Sequence, residues 1–213
     1  MKKEYFISLV LLCSFLKING QTPILSAGGW RTSNTNTFTK ITGSNNLDTK
    51  IYRLDCTSLV DASILQFRIF VDGLPIQATF QEGSYVVVEG KEIAVEQVNQ
   101  GTMAMGTWTI LQQPELAATN IPWNYYPSLS NDLLVASLKT EQEFLISINR
   151  TSYCTNTSFI VFIDGQPVKD RNNNTIIFLE GSTIYAKGKS IVIRATGTCT
   201  NNNPITGDLK IKK

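Results

Sequence analysis

The sequence predicts an all-β protein: two tandem immunoglobulin-like antiparallel β-sandwich domains related by internal duplication and preceded by a signal peptide. Three observations predict it. A set of turn motifs occurs twice, about 92 to 101 residues apart. Apolar residues alternate with polar ones beside those turns, and a short apolar run follows two lysines at the N-terminus.

The leader is the first element. Lys2 and Lys3 precede an apolar stretch from Tyr5 to Leu16, broken only by Ser8 and Ser14, and small Gly20 stands before Gln21. This is the order of a secretory signal peptide, and the run is shorter than the roughly 20 apolar residues a membrane span requires. No later stretch reaches that length, so the mature chain is expected to carry no transmembrane segment. Cleavage after Gly20 removes Lys2, Lys3 and Lys17 against Glu4 alone, which brings the formal charge of +2 to zero. With no block of Lys or Arg to neutralise phosphates, nucleic acid is not an expected partner. The expected division is 1–20 signal peptide, 21–113 first sandwich and 114–213 second. The protein is expected to be bacterial and secreted or held in the cell envelope, periplasmic or at the cell surface.

The repeat comes next. Phe70-Val71-Asp72-Gly73-Leu74-Pro75-Ile76 aligns with Phe162-Ile163-Asp164-Gly165-Gln166-Pro167-Val168, and Phe80-Gln81-Glu82-Gly83-Ser84 with Phe178-Leu179-Glu180-Gly181-Ser182. Gly90-Lys91 and Gly188-Lys189 follow, and Gly106 to Ile110 lies over Gly207 to Ile211. Seven of the 16 positions aligned from residue 80 are identical, and they are mostly turn residues. Each has a backbone reason. Asp-Gly between apolar runs supplies the positive φ angles of a tight hairpin, and the spacing drifts only where loops tolerate insertion. The matched acids Asp72, Glu82, Asp164 and Glu180 stand too far apart in sequence for a calcium loop.

Alternation then places the strands. In the first copy they fall near 37–41, 50–55, 64–71, 74–80, 84–88, 91–98 and 106–111; in the second, near 143–149, 158–163, 175–179, 182–186, 190–196 and 207–212. Leu65, Phe67, Ile69 and Val71 make one apolar face, and Phe159, Val161 and Ile163 repeat it. About seven such runs per copy suit an immunoglobulin-like sandwich. Residues 112–131, with Pro114, Pro122 and Pro127, read as a linker plus the first strand of the second copy.

Three cysteines follow the leader. Cys154 and Cys199 both lie in the second copy, and in an oxidising compartment they are the expected disulfide. Cys56 precedes the hairpin strand of its copy much as Cys154 does, and reads as a buried thiol.

The chain contains no histidine, which removes serine–histidine and cysteine–histidine catalysis and every His-liganded metal site. No phosphate loop or dinucleotide fingerprint is present, so no metal and no cofactor is expected. Carboxylate-based glycoside hydrolysis survives as the remaining enzymatic option, but the acids sit beside turn glycines, and the expectation is a protein that is not an enzyme.

Function is therefore sought in binding. Trp123, Tyr125 and Tyr126, in a run bounded by Pro122 and Pro127, are candidate binding residues, with Trp30 near the other end of the first copy. The expectation is an exported interaction or structural protein, an accessory subunit of an extracellular or envelope assembly. It would contact protein partners, or itself, through sheet edges or this interdomain aromatic segment. The alternative is a carbohydrate-binding module in which the same rings stack on a glycan. Trp108, at the place held by Leu209, reads as core.

The Asn- and Thr-rich body is similar in style to small exported proteins of the Bacteroidota. The closing run from Ile205 to Lys213 resembles the C-terminal sorting domains of the type IX secretion pathway in its Gly-led strand and basic tail. It departs from them in lacking the aromatic after Gly207, and the duplicate strand at Gly106 accounts for the same feature without sorting.

Overall fold

The structure is a computed structural model that describes residues 27–32, 38–41, 48–56, 58–60, 66–98, 103–112, 117, 120–127, 132–151, 157–196 and 204–212. The expected leader, Cys154 and Cys199 lie outside the described residues. Among those described, the chain is nearly all β, in one barrel-like sheet system. Among the described residues no helix is long and apolar enough to cross a membrane.

Fifteen strands are defined among the described residues. The first nine are β1 (Ala27–Thr32), β2 (Phe38–Lys40), β3 (Lys50–Asp55), β4 (Ser58–Val60), β5 (Gln66–Val71), β6 (Leu74–Gln81), β7 (Tyr85–Gly90), β8 (Ile93–Gln97) and β9 (Met103–Leu111). Then come β10 (Asn120–Tyr125), β11 (Leu133–Thr151), β12 (Ser158–Ile163), β13 (Gln166–Pro167), β14 (Thr183–Thr196) and β15 (Ile205–Lys212).

The pairings nest. In the N-terminal half β1 pairs with β9, β2 with β8, β3 with β7, and β5 with β6, all antiparallel. Further pairs, β3 with β9 and β5 with β8, join these into two sheets, β1-β9-β3-β7 and β2-β8-β5-β6. The C-terminal half repeats the scheme with two long strands in place of four: β10 pairs with β15, β11 with β14 along both their lengths, and β12 with β13. A register break between Ser137 and Gln142 marks where β11 passes from one sheet to the other. A ribbon folded back so that first pairs with last is the jelly-roll arrangement, which corrects the immunoglobulin-like strand order. Hairpin signals specify only sequence-adjacent pairs, and each half has one such pair. The Gly90-Lys91 corner instead carries the chain between sheets, because β7 pairs with β3 whereas β8 pairs with β5 and β2. The run 175–179 forms isolated bridges rather than a strand.

The duplicated turns sit at matching places. Asp72 and Gly73 have φ of 52° and 79°, and Asp164 and Gly165 have 50° and 78°, the paired left-handed residues of a tight hairpin. Each aspartate then reaches across to the next corner. Asp72 Oδ1 accepts the amides of Lys91 and Glu92 at 2.7 and 2.9 Å, and Asp164 Oδ1 accepts those of Lys189 and Ser190 at 2.8 Å. The recurring carboxylates thus hold backbone together.

Each half has its own core, and the two exchange residues. Tyr52, Leu54, Phe67, Ile69 and Phe80 gather around Trp30 in the first; Phe144, Ile146, Phe159 and Ile193 gather around Trp123 in the second. Leu134 of β11 is buried in the first core, while Ile51, Val87 and Leu111 pack into the second. The link is also hydrogen-bonded: β11 runs parallel to β6 at Leu133↔Thr79 and to β7 at Ala136↔Val87 and Ser137↔Val88. Cys56 is buried in the first core, and its carbonyl receives the Gly83 amide as the Ile148 carbonyl receives that of Gly181. Its counterpart in the ladder is therefore Ile148.

Candidate functional site

The expected aromatic surface turns inward. Trp123 and Tyr125 are 0% and 1% exposed and Trp30 is 5% exposed; Tyr126 alone of the four is half-buried. The reason is that residues 120–125 form strand β10, whose alternation sends Ile121, Trp123 and Tyr125 into the core and leaves Pro122 and Asn124 outside. Burial, with the Asp132 charge adding to it, pushes the Tyr125 phenol up to about 12 against its bond to the Ala195 backbone. This corrects the expectation of a Trp123–Tyr125–Tyr126 platform: Trp123 and Tyr125 have no accessible face to stack on a glycan, and only Tyr126 keeps partial exposure.

The two tryptophans are counterparts. Trp30 stands opposite Gly106 across β1 and β9, and Trp123 stands opposite Gly207 across β10 and β15. A Cβ at either glycine would strike the facing indole and a backbone carbonyl, that of Asp55 or of Ser147. The glycines exist so that the rings can lie flat on the closing strand. Trp30 Nε1 donates to the Asp55 carbonyl at 2.9 Å, whereas Trp123 Nε1 meets no acceptor among the described residues.

The backbone of the aromatic segment is also occupied. Ser84 Oγ receives the Asn124 amide at 2.8 Å and donates to the Asn124 carbonyl at 2.7 Å. The Gln81 side chain receives the Tyr126 amide and donates to the Tyr126 carbonyl. Two buried polar side chains of the N-terminal half therefore act as a substitute strand, closing the edge of β10 that β15 does not cover.

Concave places among the described residues include the following three. Two adjoin, sharing Asp55 and Tyr85: a recess of about 280 Å³ with Arg53, Thr107, Thr109 and Leu111, and one of about 230 Å³ with Cys56, Glu82 and Gly83. Partial burial raises the Glu82 carboxyl; burial and the Glu82 charge together raise the neighbouring Tyr126 phenol. The third, about 380 Å³, lies between the halves, with Ile76 to Ala78 on one wall and Phe162, Val192 and Arg194 on the other. There Arg194 grips Asp132 through two bonds of 2.6 and 2.9 Å and lies over the Phe162 ring. Sequence reasoning missed Arg53, Asp55 and Tyr85. Their signal was the outward face of β3 and β7, where charged residues share a face with Ile51 and Val87.

One sheet face is open. On β11, β14 and β15, Tyr185 is 56% exposed, ringed by Glu143, Leu145, Lys187, Lys210 and Lys212. A hydrogen bond to Glu143 raises the Tyr185 phenol and fixes the ring, and Lys212 Nζ stands 5.5 Å from its centroid. These groups can bind. Among the described residues no cluster of three or more His, Cys, Asp or Glu side chains could hold a metal ion.

Among the described residues the pairing order defines an all-β protein with jelly-roll strand pairing. No protein-family model matches the chain, and no curated protein does. Among solved structures it is similar to a conserved protein of unknown function from Pseudomonas aeruginosa PAO1, at 11% identity over 92% of this chain and 86% of that one, with a TM-score of 0.28. It is also similar to the CUB1-EGF-CUB2 domain of human MASP-1/3, at 9% identity, 89% and 94% coverage and a TM-score of 0.25. A cupin 2 conserved barrel domain protein from Leptotrichia buccalis matches at 7% identity, 92% and 93% coverage and a TM-score of 0.21.

Proposed function

We propose that the protein is an exported, non-enzymatic interaction protein, an accessory subunit that meets a protein partner through the open face of its second half. The leader supports export. The observation that carries the reading is a contrast at matched positions. In the first half the outward side of β3, β7 and β9 is the surface on which the two halves join, with Ile51, Val87 and Leu111 buried. In the second half the corresponding side of β11, β14 and β15 is uncovered and presents Tyr185, a residue type enriched at interfaces. The recurrent aspartates hold turns, which supports a structural use of the acids over glycoside hydrolysis. Duplication of one module is the simplest origin of the two matched ladders.

The test is affinity isolation of the mature chain from its native envelope or medium, in parallel with a Tyr185→Ser, Lys212→Glu double variant. A partner recovered with the wild type and lost with the variant supports the reading. Equal recovery with both, or a solitary species with the wild type, contradicts it. Because the aromatic segment is interior, the glycan alternative predicts a tryptophan fluorescence change with sugars only if a buried ring is released.

A further inference from the structure

We infer that the recess at Arg53 is a binding site for a carboxylate. This goes beyond the interaction reading and does not depend on it. Arg53 stands on β3 opposite Thr109 of β9 and Val87 of β7, its guanidinium carbon 3.9 Å from the centroid of the Tyr85 ring. The ring beneath it restrains the guanidinium, whose fork of donors is the shape that takes a planar carboxylate through two parallel bonds. The guanidinium Nε is buried and meets no hydrogen-bond partner among the described residues. A buried donor without an acceptor bears a desolvation penalty, and an oxygen that reaches it as the side chains lining the recess shift would relieve it.

Two other strand arginines show the contrast. Arg68 is paired with Glu96, and Arg194 holds Asp132 with two bonds. In the Arg53 recess the available acid is directed elsewhere: Asp55 accepts the Thr107 amide on Oδ1 and the Thr107 hydroxyl on Oδ2, each at 2.7 Å. Asp55 therefore orders the wall and adds a negative charge to it. That charge opposes a dianion more than a monoanion, so the recess should favour a carboxylate over sulfate or phosphate. Its volume, about 280 Å³, suits a carboxylate on a body of a few carbons, with Leu111 as the apolar wall. Such a group arrives either on a free short-chain acid or on the Glu or Asp side chain of a polypeptide. The second half has no such site: Leu145, opposite Lys210 and Tyr185, occupies the ladder place of Arg53.

The test uses ¹⁵N-labelled mature protein and the arginine Nε–H resonances, six residues in all, with Arg53 assigned by its loss in Arg53→Lys. Acetate, sulfate and a blocked Ala-Glu-Ala peptide are titrated separately. The Arg53 Nε–H signal should move saturably with acetate, and sulfate should need at least tenfold more. In Arg53→Lys, the accompanying shifts of the Thr107 and Thr109 amides should weaken at least tenfold. Tyr85→Leu, which frees the guanidinium without removing it, should do the same and serves if Arg53→Lys does not fold. A midpoint tenfold lower for the peptide than for acetate assigns the site to polypeptide side chains; the reverse, or equality, assigns it to the carboxylate head alone. The inference is overturned if the Arg53 signal is unmoved by acetate up to about 100 mM, if sulfate binds as well, or if both variants bind acetate like the wild type.

Discussion

Strands β7 and the first part of β14 occupy the same place in their ladders, yet they read differently and face different surroundings. Tyr85-Val86-Val87-Val88-Glu89-Gly90 has three consecutive buried valines, whereas Thr183-Ile184-Tyr185-Ala186-Lys187-Gly188 alternates strictly between exposed and buried. A strand covered on both faces needs an unbroken apolar run; a strand covered on one face needs only every second residue. The difference shows what the two matched ladders leave free. The inward side of the strand is held by the core of its own half. The outward side follows whatever lies on it, which is the second half in one case and solvent in the other.

Four experiments test this difference between the two strands. The largest effect is expected for Val87→Lys, which places a charge between the halves and should cost about 4 kcal/mol by urea denaturation. Tyr185→Lys, at the matched open position, should change stability by no more than about 0.5 kcal/mol. Similar losses from the two would mean that the faces do not differ as described. Next come Gly106→Val and Gly207→Val. Each drives a branched side chain into a tryptophan and a strand carbonyl, so each should lose about 3 kcal/mol, and to a similar extent in both halves. A third, Gln81→Leu, installs the residue that the second half carries at Leu179. It removes both bonds to Tyr126 and should lose about 1–2 kcal/mol, with a faster-exchanging Tyr126 amide.

The smallest effect concerns Asp72, which links the halves through Lys139 at 2.9 Å. Partial burial opposes its charge, but the Lys139 ammonium and the Glu92 and Lys91 amides outweigh that and hold the carboxyl below its ordinary range. A depressed carboxyl contributes stability that is complete above the unfolded value and is lost as pH falls through the folded one. Wild-type stability should therefore decline through the acid range below about pH 4 more steeply than that of Asp72→Asn. Parallel pH profiles would remove Asp72 from the contacts between the halves.

Much of the architecture was legible. Asp-Gly, Glu-Gly-Ser and Gly-Lys located the corners because each needs a particular backbone geometry, and Gly106 and Gly207 marked the closing strands. The pairing order was not legible, since nothing local in Ala27–Thr32 says that it lies beside Met103–Leu111; such contacts depend on the whole folded ribbon. The aromatic run was misread for a related reason. Residues 112–131 read as a linker plus a first strand, and β10 is that strand, but its alternation puts Trp123 and Tyr125 on the inward beat and not on a binding surface. Val86-Val87-Val88 was the available signal that a second layer covers β7, and Arg53 on the same outward face was the available signal for a polar recess there.

The sealed edge of β10 is where the two halves either form one unit or do not. Residue-resolved hydrogen–deuterium exchange on the mature protein reads it directly. The Asn124 and Tyr126 amides, bonded to Ser84 and Gln81, should exchange as slowly as the core amides of β3 and β11, at the rate of global unfolding. Exchange of both at the rate of an open linker, with the two cores protected independently, would contradict it.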